Sequence, residues 1–224
     1  ELLGLARRAG KWCGEFWPGD LRWGSEPLMS AVTMAVQPQS PGAMVQACRL
    51  CGGEVTQFLR WGRLPRANGF LRRTDFAEES FHHSAFGVCT TCWLCQRIGD
   101  DLLPSDLFSE SYPYFTASNS QMVAYYKQMA HDLRVRWHPL TVCEIGTNDG
   151  TLLQHFADVD HVGYEPSSNV AQVAKDKGLR IEDAFFNPVT ATRYPPHSMD
   201  MIVVCHSFTH IPILHALMEG ITYL

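Results

Sequence analysis

Two C-x-x-C pairs carry the clearest chemistry in the sequence, and the first reads CRLCGG. Cysteines at i and i+3 can direct both thiolates at one ion, and two such pairs supply the four soft ligands of a closed tetrahedral zinc site. The glycines after the first pair tolerate the tight turn that brings backbone N–H groups toward sulfur. The pairs predict a structural, non-catalytic zinc site with four ligands: Cys48, Cys51, Cys89 and Cys92.

The spacing of the cysteines leaves alternatives open. The 37 residues between the two pairs exceed the spacing of an ordinary zinc ribbon, so we expect the intervening chain to carry structure of its own. Cys92 also forms a C-x-x-C pair with Cys95, which we expect instead to be a small buried apolar residue. His82 or His83 could substitute as ligands, and four unrelated buried thiols are a further alternative.

A second centre of chemistry is the stretch TVCEIGTNDG, residues 141–150. A short apolar strand breaks at Gly146 into a polar turn, a helix-like segment follows, and a second strand-like run ends on Glu165. This order is typical of a nucleotide-binding βαβ unit. Glu165 lies 21 residues after Glu144 and can accept two hydrogen bonds from a ribose diol.

The turn does not have the sequence of a phosphate site. It lacks the G-x-G-x-x-G pattern of dinucleotide sites and the G-K-[ST] ending of a P-loop. Carboxylates in and beside the turn would repel a pyrophosphate, but they suit the cationic S-adenosylmethionine (SAM), which also has a ribose diol. The predicted cofactor contacts here are Glu144, Gly146, Asp149, Gly150 and Glu165. The alternative is an ordinary strand–turn–helix in which Asp149 caps the helix.

The elements that must position these residues indicate an α/β fold. Strands are predicted at 141–145, 161–165, 179–182 and 201–206, and helices at 150–157, 168–177 and 212–223. Such alternation predicts a partial Rossmann-like sheet of about four parallel strands, with ligands at the strands' carboxyl ends. Phe185 would lie beside an adenine there, and His210 is a candidate acid/base. Core packing and an ordinary satisfied histidine are the respective alternatives.

The predicted domain organisation has four parts. Residues 1–43 are expected to be a disordered or non-native extension, 44–110 a small zinc-ribbon-like domain, 111–138 a linker and helix, and 139–224 the SAM-binding sheet. Ser118 or Ser120 could cap the linker helix. Tyr112 and Tyr114, on the loop before it, could reach a substrate, although the sequence alone favours packing roles.

Composition excludes several classes of protein. A net charge of −5 argues against a protein that grips nucleic acid through its phosphates. No apolar run reaches the roughly 18–20 residues needed to span a bilayer, and the first residues lack the apolar core of a signal peptide. The eight cysteines lie mostly in C-x-x-C pairs, which without an export signal favours metal over disulfides. We therefore expect a cytoplasmic protein.

Several motifs, in order, resemble those of sugar C-methyltransferases that act on nucleotide-activated deoxysugars, such as the 3-C-methyltransferases of antibiotic sugar pathways. They are CRLCGG, WGRLPRANGFL, CTTCWLCQ, SYPYFTASNS, EIGTNDGTLL, VGYEPSSNVA and FTHIP. Departures are Trp93 and Cys95, where the family usually has glycine and an aliphatic residue, and the pair Cys205–His206, where it has asparagines.

The resemblance implies an N-terminal zinc domain, a central SAM domain and a C-terminal domain that completes the sugar site. It implies cofactor contacts for Gly146, Asn148, Asp149 and Glu165, and places Tyr112, Tyr114 and His210 facing the sugar. The family's tyrosine motif with histidine and glutamate has no counterpart before Leu224. We therefore expect a fragment that lacks the C-terminal domain and the presumed main base, and that turns over poorly.

The implied reaction is alkylation of carbon. A base removes the proton next to a 4-keto group, and the enolate carbon attacks the methyl group of SAM. Two alternatives differ in function: a non-enzymatic zinc-ribbon binding module, and a methyltransferase acting on a small metabolite that is not a sugar.

Overall fold

The computed structural model of the chain describes residues 47–100 and 102–224, so the expectation for residues 1–43 lies outside the described residues. The strands are β1 (Val55–Pro65), β2 (Phe81–Cys89), β3 (Cys95–Gly99), β4 (Thr141–Ile145), β5 (Asp160–Tyr164), β6 (Ile181–Glu182) and β7 (Met201–Val203). The α-helices are α1 (Pro104–Leu107), α2 (Ser120–Trp137), α3 (Ser168–Asp176), α4 (Pro188–Ala191) and α5 (Leu214–Tyr223).

Four strands form a parallel sheet in the order β6-β5-β4-β7. In chain order these are the third, second, first and fourth strands of the sheet, which is how a doubly wound Rossmann sheet begins. The predicted fold class, a partial Rossmann-like sheet preceded by a small cysteine-rich domain, is therefore confirmed. The strand order reverses between β4 and β7, and such a switch point is where open α/β sheets bind ligands.

Three predicted elements differ in the structure. The helix expected at 150–157 is a 3₁₀ turn, Leu153–Phe156, because Gly150 has a φ of +77° and delays regular helix. The strand expected at 201–206 ends at Val203, and His206 has a φ of +57°, which is incompatible with extended backbone. The strand expected at 179–182 pairs only at Ile181–Glu182.

The parallel sheet is covered on both faces. In β4, four consecutive residues from Val142 to Ile145 are buried, as expected for a parallel strand with apolar layers on both sides. Val142 packs with Tyr126 of α2 and with Leu153. The opposite face, which carries Ile145, packs against the layer formed by α4 and α5.

The cysteine region (residues 47–100) is a three-stranded antiparallel sheet, β1-β2-β3. The long β1–β2 hairpin accounts for the predicted structure between the two cysteine pairs. The expectation that Cys95 is buried is wrong, because the alternation of β3 turns Gln96 and Ile98 inward and leaves Cys95 exposed. The buried core of this region is small: Cys48, Val55, Ala85, Cys89 and Ile98.

Helix α2 joins the two regions. Asn119 caps it, its side chain accepting hydrogen bonds from the N–H groups of Gln121 and Met122, so neither predicted serine is the cap. The guanidinium of Arg134 pairs with both carboxylate oxygens of Asp158, at 2.6 and 2.5 Å, and ties the end of α2 to the sheet region (residues 139–224). No helix in the described part of the chain is long and apolar enough to cross a membrane.

Candidate metal centre and cofactor site

The four predicted cysteine ligands lie together. The Sγ atoms of Cys48, Cys51, Cys89 and Cys92 are all within 4.8 Å of one another. The Sγ–Sγ distance is 3.6 Å between Cys48 and Cys92 and 3.5 Å between Cys51 and Cys89. A tetrahedral ion with Zn–S bonds of about 2.3 Å needs sulfurs about 3.8 Å apart, so this donor set fits zinc with small adjustments.

Backbone N–H groups prepare the thiols for a cation. The N–H of Leu50 points at Cys48 Sγ, and those of Thr91 and Cys92 point at Cys89 Sγ, each at 3.4 Å. Burial opposes ionisation of Cys48, but hydrogen bonds from the Cys51 and Leu50 backbone outweigh it and lower the pKa of this thiol to about 6. The pKa of Cys92 rises to about 12, because burial and the neighbouring sulfurs outweigh a backbone hydrogen bond at Leu94. A bound dication would offset the repulsion between the neighbouring thiolates.

The main cavity lies at the carboxyl ends of the parallel strands. Its volume is about 630 Å³, within the range of small-molecule sites. Its wall is mostly apolar, and its polar groups come from the loop of residues 112–118 as well as from the turn after β4, the end of β5 and the segment after β7. Of the predicted site residues, the lining includes Tyr112, Tyr114, Gly146, Asn148, Glu165, Phe185 and His210.

Glu165 is the carboxylate that faces this cavity. It is 5% exposed, and each of its oxygens accepts one backbone hydrogen bond, Oε2 from Asn148 N at 2.9 Å and Oε1 from Ser167 N at 2.8 Å. Burial raises the pKa of Glu165, although these two N–H groups favour its ionised form. The two backbone hydrogen bonds hold the carboxylate in one orientation. Each oxygen keeps one free lone pair, so the carboxylate can accept hydrogen bonds from two further donors.

Gly146 allows the turn after β4 to pass close to the segment after β7. Its φ is +79°, and an added Cβ would lie 2.5 Å from the Cβ of Ser207. Ser207 Oγ donates to the carbonyl of Ile145 at 2.6 Å and closes this contact. A side chain at Gly146 would therefore be strained and would separate the two strand ends at the switch point.

The turn also holds the tyrosine loop (residues 112–118). The Asn148 side chain accepts from Thr116 N at 2.8 Å and Oγ1 at 2.9 Å, and donates to the carbonyl of Tyr114 at 3.1 Å. Asn169 donates to the carbonyl of Tyr112 at 2.9 Å. The turn therefore positions the loop that carries both tyrosines.

Three predicted cofactor contacts lie outside the cavity lining: Glu144, Asp149 and Gly150. Asp149 is 1% exposed, and its carboxylate accepts from Ala117 N at 2.7 Å and Thr151 Oγ1 at 2.5 Å. These bonds connect the turn to the tyrosine loop. They give Asp149 a positioning role, whereas contact with a cofactor stays a prediction.

Glu144 is buried beneath the cavity. It is 3% exposed and its Oε2 has no hydrogen-bond partner. Burial raises the pKa of Glu144 well above its usual value, and the nearby charges of Asp149 and Glu165 add to the effect of burial, against a hydrogen bond from the Leu153 backbone.

Aromatic rings form the outer wall of the cavity around Phe108, which follows α1. Its ring centroid lies 5.4 Å from Tyr112, 5.8 Å from His210 and 6.5 Å from Phe185. Burial raises the pKa of Tyr112, and the charge of Glu165 raises it further. Three predicted residues from three separate segments therefore meet at the ring of Phe108. The sequence did not predict Phe108 as a site residue, because the segment around it has no motif.

The floor of the cavity contains a second group that the sequence did not predict as a site. Tyr126 of α2 is 6% exposed, lines the cavity and belongs to the apolar cluster against which Cys205 packs. Burial raises the pKa of both groups. His206 also lines the cavity. The sequence signal for this group was the departure of the Cys205–His206 pair from the family pattern.

A protein-family profile described as "Putative zinc binding domain" matches residues 48–108. The chain is also 29% identical, over 193 residues, to the C-methyltransferase NovU of Streptomyces niveus. That alignment covers 80% of this chain and 44% of NovU, so the chain spans less than half the length of this curated relative. The resemblance to C-methyltransferases is confirmed by this similarity, and the predicted zinc domain by the profile and the four convergent sulfurs.

Solved methyltransferases show weaker similarity. The plantazolicin methyltransferase BpumL in complex with SAH (S-adenosylhomocysteine) is 14% identical, covering 54% of this chain and 52% of BpumL, with a TM-score of 0.38. The plantazolicin methyltransferase BamL, in complex with a triazolic desmethylPZN analog and SAH, is 17% identical, covering 44% and 40%, with a TM-score of 0.33.

Proposed function

We propose that this chain contains the zinc-binding and SAM-binding parts of a C-methyltransferase that acts on a nucleotide-activated keto-sugar. The observation that carries the proposal is Glu165, a buried carboxylate fixed by two backbone N–H groups at the open end of a Rossmann-like sheet. Its free lone pairs match the two hydroxyls of a ribose. The similarity to NovU supports methyl transfer to carbon as the reaction.

In this proposal, the groups around Glu165 bind the rest of the cofactor. Gly146 gives the ligand access to the turn backbone, and Phe185, which is 39% exposed, offers a ring face for the adenine. Asn148 and Asp149 hold the tyrosine loop against the turn. The apolar wall excludes water from the methyl group, which favours attack by carbon over hydrolysis.

The sugar would occupy the side of the cavity bounded by Tyr112, Tyr114 and His210. His210 is the proposed group that takes the proton from the carbon next to the ketone, and the tyrosine hydroxyls are donors for the enolate oxygen. The enolate carbon then forms the new bond to the methyl carbon, the sulfur–methyl bond breaks with its electron pair remaining on sulfur, and SAH is released.

Zinc has a structural role in this proposal. Four cysteines fill its coordination sphere and leave no position for a substrate. The cytoplasm, where thiols stay reduced, is the proposed location. The sugar as substrate rests on the motif resemblance, and a small metabolite of another class is the second candidate, because the apolar cavity wall does not itself select a sugar.

Calorimetry tests the cofactor assignment. We expect the zinc-loaded chain to bind SAM and SAH at a ratio of one per chain, and to bind NAD much more weakly because a pyrophosphate would meet carboxylates instead of a phosphate cradle. Absence of SAM and SAH binding at saturating concentrations would refute the proposal. Preferential NAD binding would replace it with a dinucleotide function.

A further inference from the structure

A hydrogen bond joins the metal centre to the wall of the main cavity. His215, in the first turn of α5, donates from Nε2 to the carbonyl oxygen of Leu50 at 2.7 Å, across a separation of 165 residues. A carbonyl oxygen can only accept, so Nε2 carries the proton. The two residues belong to the sheet region and the cysteine region, so this contact links the two regions directly.

The acceptor, Leu50, lies in the first cysteine turn (residues 48–51), whose two end residues are zinc ligands. The N–H of Leu50 points at Cys48 Sγ at 3.4 Å, and the N–H of Gly52 donates to the carbonyl of Cys48 at 2.9 Å. An ion bound to both end cysteines would close this turn into a ring and fix the direction of the Leu50 carbonyl. The position of the acceptor therefore depends on the metal centre.

The start of α5 has little support within its own region. The residue before the helix, Ile213, has no side chain that could accept from the first N–H groups, and it is 65% exposed. The rest of the helix is packed closely, since Leu217 is buried and a Cβ added to Gly220 would lie 2.8 Å from the ring of Phe186. The contact of His215 therefore holds the end of the helix that apolar packing does not hold.

This first turn forms part of the cavity wall. Ala216, next to His215, lines the main cavity, and so do residues 211–213, which connect the turn to His210. The ring of Pro212, in the middle of this connection, restricts its backbone and leaves little slack. A displacement of the helix start would therefore shift both the cavity wall and His210.

We propose that His215 is a positioning residue through which the metal centre holds His210 and the adjoining wall of the main cavity in place. The inference rests on the proposed function, in which the cavity binds SAM and His210 takes the proton from the substrate. It gives the cysteine region an influence on the cavity, although residues 47–100 do not line it.

Hydrogen exchange of residues 211–218, read by mass spectrometry on the zinc-loaded chain, tests the contact. We expect His215→Ala to accelerate exchange there about fivefold, because one hydrogen bond is lost. Alanine has the higher helix propensity, so propensity alone would predict slower exchange. His215→Gln carries an amide N–H donor at a similar reach and should restore protection. The control His131→Ala removes an exposed histidine of α2 outside the cavity lining and should leave this exchange unchanged.

Removal of zinc tests whether the contact acts through the metal centre. In the metal-free parent, exchange of residues 211–218 should rise to the rate of zinc-loaded His215→Ala, and removal of zinc from His215→Ala should cause no further rise. Calorimetry should show that zinc-loaded His215→Ala binds SAH about threefold more weakly than the parent, whereas His215→Gln binds it like the parent.

Unchanged exchange of residues 211–218 in His215→Ala would overturn the inference, and so would additive effects of the substitution and of zinc removal. Equal acceleration in His215→Ala and His215→Gln would overturn it as well. If exchange rose but SAH affinity stayed that of the parent, His215 would hold the helix and not the cavity. Absence of SAH binding by the zinc-loaded parent would refute the proposed function, and the exchange rates would still report on the contact. Circular dichroism and zinc content verify that each variant is folded.

Discussion

The cysteine region and the sheet region are stabilised by different means. In the cysteine region the buried core contains five residues, two of which are zinc-ligand cysteines, and exposed side chains such as Phe58 and Trp61 lie along β1. The sheet region buries apolar side chains on both faces of four parallel strands. A core as small as the first rarely supports a fold alone, so we infer that the metal stabilises one region and apolar burial the other.

The two regions also differ in the groups that burial perturbs. In the cysteine region, backbone N–H groups overcome burial and lower the pKa values of Cys48 and Cys89, which prepares negative charge for a cation. In the sheet region, burial raises the pKa values of Glu144 and Glu165. The cysteine region is therefore arranged to bind a cation. The sheet region instead keeps two buried carboxyl groups, whose ionisation burial disfavours, beside an open cavity.

Removal of zinc should cause the largest change, because it should unfold the cysteine region and leave the sheet region folded. We expect chelation, or Cys89→Ser, to unfold β1–β3, because binding of structural zinc contributes on the order of 10 kcal/mol to folding. The parallel sheet should stay folded. Hydrogen exchange read by mass spectrometry would show full exchange in residues 55–99 and retained protection in residues 141–164.

Cys95→Ser is the matched control, since Cys95 is exposed and its sulfur is not part of the cluster. It should bind one zinc per chain and keep β1–β3 protected. If β1–β3 stayed protected from hydrogen exchange in the metal-free chain, the inference that zinc stabilises the cysteine region would be contradicted.

Loss of the Asn148 side chain should have an intermediate effect. Asn148→Gly removes three hydrogen bonds to the tyrosine loop and should cost about 2 kcal/mol of unfolding free energy. Asn148→Ala should cost about 1 kcal/mol more, because the φ of residue 148 is +54°. Urea unfolding measures both costs, and hydrogen exchange should accelerate in residues 112–118. Equal stability of the glycine variant and the parent would show that these bonds do not hold the loop.

Per pH unit, the change in stability caused by Glu144 should be the smallest of the three effects. Its pKa in the folded chain is raised above that of the unfolded chain, so its contribution to stability is present below pH 4.5 and is lost as pH rises toward the raised value. Each pH unit in that window costs up to about 1.4 kcal/mol. Glu144→Gln should therefore gain stability relative to the parent as pH rises. Parallel stability–pH curves from urea unfolding would contradict the assignment.

Local patterns predicted much of the fold. Strand β4 has the predicted bounds, Thr141–Ile145, because an apolar run bounded by Gly146 leaves little choice. The convergence of the four cysteines was predictable because two pairs at i and i+3 have few other uses. The third and fourth strands are shorter than predicted, since pairing depends on the neighbouring strand and on the backbone after it.

Contacts between distant segments were not predictable. The carboxylate of Asp149 accepts a hydrogen bond from the N–H of Ala117, 32 residues earlier in the chain, and no local pattern predicts this contact. Phe108 and Tyr126 line the cavity because α1 and α2 fold over the sheet, and no local period reveals that placement. The motifs therefore predict seven residues that line one cavity, whereas the contacts that those residues make depend on tertiary structure.

The most direct test of the central claim is the affinity for SAH of Glu165→Gln compared with the parent, measured by calorimetry at neutral pH. The amide replaces one acceptor with a donor, which would meet a ribose hydroxyl or a backbone N–H, so we expect a loss of about tenfold or more. The control Glu219→Gln changes an exposed glutamate outside the cavity lining and should bind like the parent. Equal affinity of all three proteins would contradict the assignment of Glu165 as the ribose acceptor.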